Sequence, residues 1–172
     1  MLLEKNLSKQ LFVLVLSYSL WLLVYNTVLI PYTLLDEWIV HLLVVVSCLM
    51  LSFFGFDVST NPAFFLNAIS IDHYPGVVIS HHCDALSVVV IFIIILCVFS
   101  FRKPHLWRFI LFGSVVIQFV NILRIVCLSI IFRFHPGWLK FNHDYTFTIL
   151  VYGVVILMWW WRFRSIDNLK VK

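Results

Sequence analysis

Three residues of this chain carry groups that together suit one kind of chemistry: the thiol of Cys83, the guanidinium of Arg124 and the imidazole of His143. A thiol served by a base attacks carbonyl carbon, and a fixed cation steadies the oxyanion that results. Arg124 is the most unusual of the three. It stands near the middle of an apolar stretch, residues 109–132, long enough to cross a bilayer. A cation at that depth costs about 2.5–3.5 kcal/mol on insertion scales, so it faces a bundle interior or a polar partner. Asn121 projects from nearly the same helix face three residues earlier, and Gln118 adds a polar group one turn before that.

Cys83 is in polar company, His81-His82-Cys83-Asp84, whereas Cys48, Cys97 and Cys127 lie in apolar runs. No disulfide pattern emerges, and Cys83 is expected to be a free thiol. It precedes a helix expected to begin near Asp84 or Ala85, and the unpaired N–H groups of a helix N-terminus favour a thiolate. Asp84 opposes that charge and is better suited to cap the helix or orient a histidine. His143 and Asp144 end a short loop, expected on the outer side and starting at Arg133, that leads into the last apolar run. Histidine is the usual general base near neutral pH. His41, His73, His105 and His135 read as interfacial or loop residues.

The elements that must carry these groups follow from composition. The 172 residues are 63% hydrophobic and 12% charged, where a soluble domain averages about 25% charged. The expected fold is an all-α membrane bundle forming one membrane domain, with the lipid bilayer as its first partner. Four stretches read as spans: residues 11–30, 85–101, 109–132 and 145–161. The net charge of +4 comes from scattered basic residues, not a stripe, so nucleic acid is not expected as a partner. The first apolar run has no small-residue cleavage site after it and reads as an anchor.

Basic residues orient the bundle. Lys5 and Lys9, then Arg102, Lys103 and Arg108, then Arg162, Arg164, Lys170 and Lys172 flank the spans and are expected in the cytoplasm. Residues 31–38 and 57–83 hold no Lys or Arg but contain Asp36, Glu37, Asp57 and Asp72, so both are expected outside. The apolar run between them, residues 39–56, then cannot cross and is expected as an outer-leaflet, re-entrant or surface-packed helix. The competing arrangement has five spans and an external amino terminus. Alternation in Ile69-Ser70-Ile71-Asp72, the turn signal Tyr74-Pro75-Gly76 and the run Val77-Val78-Ile79-Ser80 predict a small extracytoplasmic β-hairpin that delivers Cys83 to the membrane surface.

On Cys83 before a helix, Asn121-Ile122-Leu123-Arg124-Ile125, and His143-Asp144 before the final span, the chain resembles the exosortase/archaeosortase superfamily of integral membrane cysteine transpeptidases. The resemblance covers roughly residues 69–161, in the family's order. Residues 1–68 would be an anchor and peripheral helix, and 162–172 a basic cytoplasmic tail. The family usually places a small or polar residue and then Gly after its cysteine; here Cys83-Asp84-Ala85 stands.

The resemblance implies a thiol protease at the outer face of a bacterial cytoplasmic membrane. It would cleave the C-terminal sorting signal of secreted proteins, in systems often linked to exopolysaccharide or matrix export. Cys83 would be the nucleophile, His143 the base and then the acid, and Arg124 the oxyanion's partner, supported by Asn121, Asp144 and Asp84. No cofactor is implied. Two other readings compete. His81, His82, Cys83 and His143 offer enough ligands for a four-coordinate zinc site, although adjacent residues on an extended strand point oppositely. A non-enzymatic membrane assembly factor is the other.

Overall fold

The computed structural model describes residues 2–29, 35–60, 67–74, 76–79, 83, 85–100 and 105–170. Long apolar runs without proline fold as helices, since a helix satisfies its backbone groups internally wherever water is absent. Helix α1 (Leu2–Val24) continues through a π-helical turn, Tyr25–Leu29. Next come α2 (Leu35–Phe53), three short strands β1 (Val58–Thr60), β2 (Ala68–Ile71) and β3 (Val77–Val78), then α3 (Leu86–Ser100) and α4 (Leu106–Phe134). A 3-10 turn (Pro136–Trp138), a helical turn (Leu139–Phe141) and a π-helical turn (Asn142–Thr146) lead into α5 (Phe147–Lys170).

Among the described residues, three helices are long and apolar enough to cross a membrane: Leu7–Leu29, Leu106–Phe134 and Pro136–Arg164. The segment expected as a further span, residues 85–101, forms the 15-residue α3, shorter than the ~20 residues that cross a full hydrocarbon core. The loop expected between the last two spans is instead almost wholly helical: α4 runs to Phe134, and only His135 separates it from the 3-10 turn. Pro136 opens that turn, where its missing N–H costs no helical bond.

Contacts divide the chain into two compact units. The first comprises Met1–Thr33, Leu86–Ile117 and Val154–Lys172. Within it α1 packs against α3, and Phe92, fully buried, lies 6.1 Å from the Phe109 ring and 6.4 Å from that of Trp159. Gly113 makes this cluster possible, because a Cβ there would collide with the Phe92 ring. Little of α1 is covered: 6% of its apolar window is buried, and Phe12 is 68% exposed. Such a surface belongs in lipid.

The second unit, Leu34–Ala85 and Gln118–Gly153, holds the sheet and every described residue that the resemblance singles out. Val40, Leu43, Val44 and Leu51 recur at helical spacing on α2 and are buried against Ile69, Ile71 and Ile79 of the sheet segment and Ile125 and Val126 of α4. The strand order is β1-β2-β3, all antiparallel. The expected hairpin is therefore present as β2 and β3, joined by a strand, β1, that the sequence reading left out. Its tight turn comes earlier than Tyr74-Pro75-Gly76. Asp72 and His73 take positive φ (51° and 60°), and Tyr74 N–H donates to Ile71 O at 3.0 Å. Aspartate tolerates that left-handed conformation better than most side chains. Arg133, near the end of α4, holds the turn: its Nε lies 3.4 Å from Asp72 Oδ2, and its guanidinium sits 4.8 Å over the Tyr74 ring.

Candidate functional site

The site grows from where the sheet segment hands over to α3. Cys83, half-buried, packs at the margin of the second unit's core. The helix starts at Leu86, three residues after Cys83 and one beyond the expected start near Asp84 or Ala85. Ala85 explains the delay, since its φ of +57° lies in the left-handed region and breaks helical continuity. Cys83 therefore stands outside the helix, on a sharp turn ahead of it. A residue with a Cβ pays about 1–2 kcal/mol for that conformation. Ala85 occupies the position at which the resembled family has glycine, the residue that adopts positive φ without strain.

Asn121, completely buried on α4, pins this turn. Its Nδ2 donates to the Cys83 carbonyl oxygen at 2.8 Å. Its Oδ1 is buried with no hydrogen-bond partner among the described residues.

His143 arrives from the other side, in the π-helical turn Asn142–Thr146. A π turn inserts one residue into a helix and re-aims the side chains around it; such turns are frequent at functional sites. Side chains hold it open: Thr148 Oγ1 donates to His143 O at 3.2 Å, and Asn142 Nδ2 to Trp138 O at 2.9 Å. The result is a direct approach of two reactive groups. Cys83 Sγ lies 3.8 Å from His143 Nε2, and His143 Nδ1 lies 2.8 Å from Asp144 Oδ1. A carboxylate only accepts, so Nδ1 carries a hydrogen, and in the neutral ring Nε2 is left as an acceptor facing the sulfur.

Comparison with protein-family models, with curated proteins and with solved structures finds no match. The geometry therefore stands on its own. Thiol, imidazole and carboxylate lie in sequence, with the carboxylate fixing the tautomer and the imidazole facing the thiol, which is the arrangement that activates a nucleophile. Acceptable distances in an unliganded site run long and tighten when substrate binds.

Arg124 is half-buried on α4 and makes no hydrogen bond or ion pair among the described residues. It lies one turn beyond Asn121 and one turn before Leu128, on a single stripe of the helix. Leu128 lines a cavity of about 370 Å³ together with Val78, Phe132, Leu139, His143 and Asp144. Asp84, His81 and His82 lie outside the described residues. Among those described, no three His, Cys, Asp or Glu side chains come together as metal ligands. The Arg133 clamp, the π turn under His143 and the left-handed Ala85 are features of this site that the sequence reading did not name.

Proposed function

We propose that this chain is a membrane-embedded cysteine transpeptidase or protease of exosortase type, acting on secreted proteins that carry a C-terminal transmembrane sorting signal. One observation carries the reading: the sulfur of Cys83 faces Nε2 of His143, whose other nitrogen is bound to Asp144.

In the reaction, His143 Nε2 takes the thiol proton while Cys83 Sγ attacks the scissile carbonyl. The oxyanion so formed needs a donor, and Arg124, on the helix stripe that leads from Asn121 to the cavity, is the cation suited to it. Collapse of the tetrahedral intermediate breaks the C–N bond, and the imidazolium returns its proton to the leaving amine. The substrate's acyl part is then held on sulfur as a thioester. An acceptor amine or water, deprotonated by His143, attacks the thioester and restores the thiol. Asp144 positions the ring throughout, and Asn121 positions the nucleophile's turn.

The placement that accompanies this reading has four spans with both termini in the cytoplasm of a bacterial cell, α3 being the short span and α2 a non-crossing helix. It is supported by the basic flanks and by the sheet, whose open edge cannot lie in hydrocarbon with its backbone groups unpaired. The site then opens at the outer face, where a tailed substrate emerges from the bilayer. The test is co-expression with a candidate tailed substrate. Wild type processes it and Cys83→Ser does not; equal processing by both removes Cys83 as nucleophile.

A further inference from the structure

The three-stranded sheet ends on an open edge next to the Cys–His pair. β3 pairs with β2 on one side, and no described residue pairs with its other side. The register fixes which backbone groups are left over. Ile79 N–H donates to Asn67 O at 2.9 Å, and Val77 stands opposite Ile69. In an antiparallel ladder the residues between hydrogen-bonded pairs turn their N–H and C=O away from the partner strand. Val78, opposite Ala68, is such a residue, so its donor and acceptor both point to the unpaired side.

That side is the cavity. Gly76, Val77 and Val78 line it in succession, together with His143 and Asp144. Alternate residues of a strand point to opposite faces, so three in a row share an edge and not a face. Natural sheets usually blunt or cover such an edge. Here Val78 is 49% exposed, with no bulge, proline or charge on the strand itself.

We propose that this edge is the main-chain subsite for substrate. An extended peptide segment adds to β3 as a fourth strand, exchanging hydrogen bonds with Val78 and seating an aliphatic side chain against Leu128, Phe132 and Leu139. The occupant is argued from complementarity. One outward donor and one outward acceptor match an extended backbone, the lining is mostly apolar, and Lys140 supplies positive charge for a substrate carbonyl or carboxylate. Strand addition draws affinity from the main chain and selectivity from the pocket. The inference rests on the acyl-transfer reading, since it is that chemistry which needs a peptide laid beside Cys83.

The test uses the full chain in lipid nanodiscs and three thiol-reactive probes: a leucine-containing tripeptide acyloxymethyl ketone, its twin methylated on the backbone nitrogens, and iodoacetamide. Alkylation of Cys83 is followed by intact mass. The parent peptide should react about ten-fold faster than its methylated twin, the worth of one good hydrogen bond. Val78→Pro, which deletes the outward N–H and keeps the outward carbonyl, should slow both peptide twins alike and leave the iodoacetamide rate unchanged. In Cys83→Ala protein the parent probe should slow hydrogen exchange at the Val78 amide. Equal rates for the two peptide twins on wild type, with Val78 exchange unaltered, overturn the proposal, and this comparison needs no variant that must fold. Failure of the underlying reading shows separately, as an iodoacetamide rate that His143→Ala does not change, and the twin comparison still decides the edge.

Discussion

At His143 a single proton position governs what the site can do. The Asp144 carboxylate lies 2.8 Å from Nδ1; in the proposed reaction it would hold one tautomer and stabilise the imidazolium formed when the thiol gives up its proton. Removing the base should cost roughly 10²–10⁴-fold in cleavage rate, so His143→Ala is expected near that range in a processing assay. Asp144→Asn keeps the shape but lets the ring turn or change tautomer. Its loss should be smaller than that of His143→Ala and should appear in the rate of thioester formation, read by trapping the acyl-enzyme. Ala85 gives a second prediction. Ala85→Gly removes the left-handed strain and should raise thermal stability in detergent by about 1 kcal/mol, read as a higher unfolding midpoint. A drop instead would mean that the Ala85 methyl, itself buried, contributes more through packing than it costs through φ.

The elements explain why some of this was legible in the sequence and some was not. Apolar runs punctuated by charge announce long helices: α4 follows its run closely, whereas α1 starts well before residue 11 and α5 continues past residue 161 to Lys170. The alternation around Ile69 announces a strand because β2 has to bury Ile69 and Ile71 against α2. β1 escaped notice because three residues are too few to show a period. The helical course from Pro136 to Thr146 escaped it too, because its polar residues resemble a loop while its bonds run locally, to Trp138 and His143 carbonyls. The meeting of Cys83 with His143 was foreshadowed only as an expectation from order and topology. What brings the two within reach, an extra residue in the helix and a positive φ, has no signature in residue type. The π turn yields its own prediction. Deleting Tyr145 restores ordinary helical register and rotates the residues before it by ~100° relative to α5, which should abolish processing while the protein still inserts and accumulates.

For the whole molecule, topology is the decisive measurement. Cysteine-accessibility labelling in a background lacking reactive thiols should find Lys9→Cys shielded from outside the cell and Asp57→Cys modified. Modification of both would overturn the orientation and place the sheet's site differently from the reading above. The sparse burial of α1 has a practical corollary. With 6% of its apolar window covered, this rod touches α3 but leaves most of its apolar surface for acyl chains to solvate in a membrane. Stripped of lipid, its leucines and Phe12 would find those of other copies, so clumping, ahead of unfolding, is the failure that sets the terms on which the chain can be purified.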